Sequence, residues 1–245
     1  MTVRFYGQLN DFLPYRRRHV RFRHALRERS SVKDVIESLG VPHPEVDVIL
    51  VNGSAAPFTC VIDDGDHVAV FPFFHSLDLG DVVRAGSPPP TPIRFALDEH
   101  LQKLASWLRL AGFDARLYAG DAVLAEAGLA DQRIVLTRDL ALLKRSIVRH
   151  GYWVRHTDPE KQLAEVLRRF DLVPSMAPFT RCTQCNTLLA PASAEAIRDR
   201  LLPCTRAEFD QFHECPGCGR VYWRGSHYTS LRSVLDRAAR LAHSS

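Results

Sequence analysis

Two groups of residues have types and spacing that suit chemistry. The first is a pair of matched C-x-x-C segments, Cys182-Thr183-Gln184-Cys185 and Cys215-Pro216-Gly217-Cys218. A C-x-x-C knuckle turns two thiolates toward one point, and two knuckles supply the four ligands of a tetrahedral structural Zn²⁺ site. A redox dithiol needs only one such pair and leaves the other unexplained. Zn²⁺ on Cys182, Cys185, Cys215 and Cys218 is therefore expected. The 29 residues between the knuckles leave room for an inserted helix over 193–200. Cys60 and Cys204 fall outside the pattern and read as ordinary buried thiols.

The second group is four aspartates: Asp98, Asp121, Asp139 and Asp158. Each follows a short apolar run and precedes a helical pattern. Ile93, Phe95 and Leu97 lead to Asp98, and Ala115 to Tyr118 lead to Asp121. Arg133 to Thr137 lead to Asp139, and Tyr152 to His156 lead to Asp158. Alternating strands and helices predict a parallel sheet, whose strand ends share one edge where ligands bind. Gathered carboxylates repel one another, and a divalent cation relieves that repulsion. Oxygen ligands suit Mg²⁺ or Mn²⁺, with Asp98 and Asp139 as the leading ligands. Such a site serves phosphodiester cleavage. A simpler reading stands beside it. Aspartate is a favoured helix N-cap, and Asp158-Pro159-Glu160 is close to an ideal helix start. Glu126 and Glu99 are the other acids near these junctions.

Basic residues lie close in sequence to the acids: Lys103, Arg109, Arg138 and His156. Arg138, adjacent to Asp139, is the first choice for a scissile phosphate; ordinary surface ion pairs are the alternative. After the second knuckle, Arg220-Val221-Tyr222-Trp223-Arg224-Gly225-Ser226-His227-Tyr228 interleaves arginines with aromatics. That pattern holds backbone phosphates and stacks bases. Arg220, Trp223, Arg224 and His227 are the expected RNA contacts. Strand alternation should turn one set of these side chains inward and leave the other exposed. An amphipathic helix is expected over 230–241.

The elements that precede this region form a smaller domain over 1–80. Strands are expected over 2–6 and 16–23, and a helix capped by Ser31 follows, stopped by Gly40. Val48 to Val51 lead to the turn Asn52-Gly53, and a last strand runs from His67 to Pro72. Strand, strand, helix and short strands is a β-grasp order. Arg16, Arg17, Arg18, Arg21 and Arg23 are read as a solvated strand face rather than a phosphate site. Residues 81–92, with four prolines among the last five, read as an extended linker.

The 245 residues carry 32 Lys+Arg against 28 Asp+Glu, a net charge of +4 that permits an anionic partner without demanding one. No apolar run approaches the ~20 residues of a membrane span, and MTVRFYGQL has no signal-peptide core. A cytoplasmic protein with no membrane contact and no small-molecule cofactor is expected.

Two resemblances add to this. VRFYGQLNDFL, VNGSAAPF and DDGDHVAVFPFF resemble the sulfur carriers of the ubiquitin-like fold, the MoaD and ThiS relatives. Those carriers work through a C-terminal Gly-Gly. This chain reads His75-Ser76-Leu77 after Phe74 and has no Gly-Gly anywhere, so sulfur transfer is not expected. LDEHLQKLASWLRLAGFDARLY, RIVLTRDLALL, TDPEKQL and YWRGSHY are similar to the Mut-seven-C RNase domain, a PIN-like nuclease fold with a C-terminal zinc ribbon. The resemblance implies an α/β chain: a β-grasp domain, a PIN-like domain over 93–175, and a zinc ribbon with a helix over 176–245. It also implies a metal-dependent RNase whose acids match Asp98, Asp121, Asp139 and Asp158, leaving a 3′-hydroxyl product. RNA is the expected partner, with structured RNA such as tRNA as a candidate. A non-catalytic RNA-binding adaptor is the rival reading. The protein partner of the β-grasp domain is open.

Overall fold

The computed structural model describes residues 1–26, 28–73 and 84–243. His75-Ser76-Leu77 and the start of the expected linker, 81–83, lie outside the described residues. The chain forms two compact units, Met1–Pro92 with Ala119–Trp153, and Ile93–Tyr118 with Val154–Ser245.

The first unit opens with β1 (Thr2–Phe5), β2 (Phe22–Arg23), β3 (Ser30–Ser31) and α1 (Val32–Ser38). It continues with β4 (Val46–Val51), β5 (Ser54–Ala55), β6 (Val61–Ile62) and β7 (His67–Pro72). Five strands make one sheet in the order β2-β1-β7-β4-β5. β1 and β7 run parallel from Thr2↔His67 to Phe5↔Val70, and the neighbours of this pair run antiparallel. Alternation places Val3 and Phe5 on the same face as Val68 and Val70. All four are buried with Val35 and Ile36 of α1. Ser31 caps α1 as expected, its Oγ accepting from Asp34 N at 3.2 Å. Asn52 and Gly53 take φ of 53° and 85°, the left-handed pair that a two-residue hairpin needs.

Residues 16–23 do not form the strand that their alternation predicts. A 3₁₀ turn covers Tyr15–Arg17, His19 has φ 61°, and only Phe22–Arg23 pairs with β1. Local bonds divert the backbone: Arg18 Nε donates to Leu13 O at 2.8 Å and His19 N to Asn10 Oδ1 at 2.6 Å. The end of the expected linker is also tied down. Arg84 forks onto both Asp47 oxygens at 2.6 and 2.7 Å, and Ala85 N donates to Asp47 O at 2.8 Å.

In the second unit, β8 (Arg94–Asp98) leads through a 3₁₀ turn, Glu99–Leu101, into α2 (Gln102–Leu110) and then β9 (Asp114–Tyr118). β8 and β9 pair in parallel from Arg94↔Asp114 to Asp98↔Tyr118. The first unit supplies α3 (Asp121–Ala130), β10 (Ile134–Thr137), α4 (Leu140–Leu143) and β11 (Gly151–Trp153). β10 and β11 are also parallel, with Thr137↔Trp153 at their ends. Within this unit the N-terminal sheet domain docks on β11 and α4. Buried Glu45 accepts from Trp153 N at 2.7 Å, the rings of Phe12 and Trp153 lie 5.2 Å apart, and Lys144 Nζ donates to Glu37 O at 3.0 Å.

The second unit ends with α5 (Pro159–Arg169), β12 (Ala190–Ala192), α6 (Pro203–Glu208), β13 (Phe212–Glu214), β14 (Val221–Trp223) and α7 (Ser226–His243). α5 packs on both α2 and α7. Leu104 and Leu108 of α2, Leu163, Val166 and Leu167 of α5, and Phe95 of β8 are fully buried. β12, β13 and β14 form an antiparallel sheet. The helix expected over 193–200 is not formed. Turns lead to a 3₁₀ segment at Arg198–Arg200, and the α-helix begins later, with Pro203 at its first position. Ser193 Oγ accepts Ala196 N at 3.2 Å and holds a local turn instead.

Candidate metal and nucleic-acid sites

The strand-end aspartates fall where strand meets helix. Asp98 ends β8, is half-buried, and accepts His100 N on Oδ1 at 3.1 Å. Asp139 precedes α4, is half-buried, and accepts Ala141 N at 2.7 Å and Leu142 N at 3.4 Å, both on Oδ1. Asp158 is exposed and accepts Lys161 N at 3.0 Å. Three of the four acids thus cap helix N-termini through one oxygen, as aspartates do. Asp121 differs. Gly120, at φ 86°, holds the cap position, and Asp121 is the exposed first residue of α3. Asp98 and Asp158 belong to the second unit, and Asp121 and Asp139 to the first.

Buried Glu165 on α5 carries no motif, and sequence reasoning missed it. It accepts Arg155 N at 2.8 Å and His156 N at 3.1 Å, while Gln162 Nε2 donates to His156 O at 2.8 Å. The helix thereby grips the segment that leads to Asp158. An acid on the buried stripe of an amphipathic helix was the available signal.

The basic residues divide. Lys103 is exposed, its ammonium 4.9 Å from the centre of the Trp107 ring. Arg138 is exposed beside Asp139, and its carbonyl accepts Trp153 Nε1 at 3.3 Å. Arg109 is not a phosphate contact. Only 6% exposed, it donates to the carbonyls of Ala115 at 2.7 Å, Thr183 at 3.1 Å and Gln184 at 2.8 Å. Burial pulls its pKa below the usual guanidinium value, against the opposing pull of Cys182, Cys185 and Asp114. It stitches the end of α2 and β9 to the first cysteine knuckle.

Cys182, Cys185, Cys215 and Cys218 converge, with all four Sγ atoms within 4.8 Å of one another. Cys182 and Cys218 are 3.7 Å apart and Cys185 and Cys215 3.2 Å. A tetrahedral ion with sulfur bonds of about 2.3 Å needs sulfurs about 3.8 Å apart, so the set fits. Thiols this close perturb one another. Cys185 is pulled down to about 6, chiefly by the Thr187 hydroxyl and N–H. Cys218 is pushed up to about 12: the Arg220 backbone lowers it, but burial and the other three sulfurs outweigh that. A Cβ at Gly217 would lie 2.6 Å from Thr187 Oγ1, so a larger residue there would push that hydroxyl from its place 3.4 Å from Cys185 Sγ.

A second link ties the knuckle to β9. Asn186, at φ 72°, accepts Ala115 N at 3.0 Å and donates to Asp114 Oδ1 at 2.7 Å. Its place directly after Cys185 was the available signal, since asparagine tolerates this left-handed backbone. Outside the cluster, Cys60 is half-buried against the N-terminal core. Cys204 is exposed rather than buried, because it lies on the outer side of short α6.

The alternation expected along the aromatic and basic stretch holds only between Tyr222 and Trp223: the strand is just Val221–Trp223, and Arg220 and Arg224, of the same parity as Tyr222, are exposed. Tyr222 turns inward, its hydroxyl 3.1 Å from Cys182 Sγ. Burial, then Cys182, pushes its pKa up to about 12. Arg220, Trp223, Arg224 and His227 are exposed. Among the described residues, no helix is long and apolar enough to cross a membrane.

Comparison with known proteins agrees with these observations. Residues 93–235 match the family model described as Mut7-C RNAse domain, and residues 1–78 match Mut7-C ubiquitin. No curated protein and no solved structure gives a significant match. From β8 through α7 the chain carries the strand-end acids and the four-cysteine cluster inside the first match, behind an N-terminal ubiquitin-like region, and it belongs to the Mut7-C RNase family.

Proposed function

We propose that the protein is a divalent-metal-dependent ribonuclease that hydrolyses RNA phosphodiester bonds. The observation that carries this reading is the match of residues 93–235 to an RNase domain family. Its working parts are a ubiquitin-like β-grasp domain over 1–80, a PIN-like nuclease domain over 93–175, and a zinc ribbon with its helix over 176–245. Residues 81–92 join the first two. Asp98 and Asp139, with Asp121 and Asp158, supply the carboxylates for Mg²⁺ or Mn²⁺. Such hard oxygen donors suit either ion, which when bound activates water and neutralises charge on the phosphate. Arg138 orients a phosphate beside Asp139, and Arg220, Trp223, Arg224 and His227 hold the RNA. Zn²⁺ on the four cysteines is structural, because all four positions are filled by protein and none is left for substrate. Structured RNA such as tRNA is the proposed substrate class.

Capping gives a specific reason to keep a second reading, a non-catalytic RNA-binding adaptor. Three of the four acids already bond helix N–H groups. Asparagine caps about as well as aspartate but lacks its charge, so Asp→Asn separates the two roles. With Mg²⁺ or Mn²⁺, Asp98→Asn and Asp139→Asn should each lower cleavage of a labelled tRNA by more than about a hundredfold, beyond the loss that an outer-shell partner gives. If both variants cleave as the parent does, the nuclease reading fails and the adaptor stands.

A further inference from the structure

We propose that the groove between the β13–β14 edge and the start of α7 binds an unpaired nucleotide of an RNA strand. This rests on the ribonuclease reading and narrows its substrate class to RNA with a single-stranded segment. The groove encloses about 540 Å³, within the ~300–1,000 Å³ of small-ligand sites. Among the described residues, its lining holds three arginines and two histidines and no acid. A lining with cations and no carboxylate favours an anion.

The lining also offers flat faces for a base. Trp223 is 41% exposed, which is unusual for so large an apolar ring. Phe179 and Tyr228 stack on each other at 4.4 Å, making a firm second wall. The arginines have separate tasks. Arg181 is committed to structure, donating to Asn186 O at 2.6 Å. Arg232 shares its charge with Asp236 at 3.1 Å. Arg224 makes no ion pair among the described residues and lies 5.5 Å from the Tyr228 ring centre. It is the cation left to meet a phosphate. Gly225 makes room for the indole, since a Cβ there would stand 2.6 Å from Trp223 Nε1. A base stacked on aromatic rings with its phosphate on an arginine is the recognition mode of single strands, whereas in a duplex the base faces are covered by their neighbours.

The test is a fluorescence titration of the full-length, zinc-loaded chain with hexa-adenylate and hexa-uridylate, beside a blunt RNA duplex of six base pairs. The expected result is quenching of tryptophan emission by both single strands and weaker binding of the duplex. Trp223→Ala should weaken hexa-adenylate binding by about ten- to a hundredfold, the loss of one base stack, and Trp223→Phe should restore most of it. Gly225→Ala displaces the ring without removing it or any charge, and should weaken binding in the same direction. Arg224→Ala should reduce the slope of log K against log salt by about 0.7, the value for one phosphate on a single strand. The groove is overturned if Trp223→Ala and Gly225→Ala bind hexa-adenylate as the parent does. It is equally overturned if the duplex binds more tightly than the single strands. Asp139→Asn keeps the two readings apart: it should stop cleavage and leave hexamer affinity unchanged. A chain that binds hexamers through Trp223 but cleaves nothing retains the groove and loses the nuclease.

Discussion

One carboxylate oxygen is enough to cap a helix, and a metal ion needs only one more. At Asp139 the helix N–H groups of Ala141 and Leu142 both point at Oδ1, and Oδ2 has no hydrogen-bond partner among the described residues. The residue is therefore able to serve both roles at once, with a measurable consequence. Asp139→Ala should destabilise the protein by about 1 kcal/mol in chemical denaturation, the usual loss of an N-cap, while Asp139→Asn should stay close to the parent. If Asn and Ala cost the same, the cap seen at α4 does not contribute to stability. Arg109 makes the opposite case. Its type and position suggested a phosphate contact, yet burial and three carbonyl partners make it a strut. Arg109→Ala leaves those carbonyls without their donor and should cost on the order of 3 kcal/mol, read from urea unfolding. A stable Arg109→Ala variant with weakened RNA binding would reverse that assignment.

At the scale of elements, the turn from α2 to β9 is a tightly constrained joint of the second unit. Gly112 has φ 101°, and a Cβ there would lie 2.3 Å from Ala177 O, a backbone atom held in place by the Ala177 N to Ala111 O bond at 2.9 Å. Gly53 also has positive φ, at 85°, but nothing lies within 4 Å of its Cβ position. Gly53→Ala should thus cost about 1 kcal/mol for backbone strain alone, and Gly112→Ala on the order of 3 kcal/mol or more, because two chain segments must part. Thermal unfolding of the two variants compares them directly, and equal losses would show that the close approach at Ala177 relaxes freely. The cap of α1 and the Asn52-Gly53 turn were legible because their signals are local. The strand expected over 16–23 and the helix expected over 193–200 were not. There, side-chain bonds from Arg18, Asn10 and Ser193 compete with regular structure, and composition does not reveal which will win.

For the whole molecule, the cysteine cluster acts beyond its own loop. Arg109 and Asn186 join the first knuckle to α2 and β9, and β9 pairs with β8, whose last residue is Asp98. Stripping the metal with a chelator should raise hydrogen exchange across 109–118 as well as 182–223, because a structural metal contributes folding energy directly. Exchange in β1 and β7 should not change, and equal loss of protection there would show that the two units unfold together. Glu45→Ala should in turn free the Trp153 amide to exchange, since that carboxylate is its acceptor. The sequence alone determined most of the elements, the two cysteine knuckles, the strand-end aspartates and the family resemblance. Each of these is written in residue type and short spacing, through knuckles, caps and apolar periodicity. Only the tertiary structure decided that Arg109 is a strut, that Glu165 grips the approach to Asp158, and that Trp223 rather than Tyr222 faces solvent. It alone also showed Glu45 bonded to β11, more than a hundred residues away in the chain. The physical reason is common to all four. Whether a charged or aromatic side chain faces solvent or a partner depends on which distant backbone atoms arrive beside it, and no local pattern encodes that arrival.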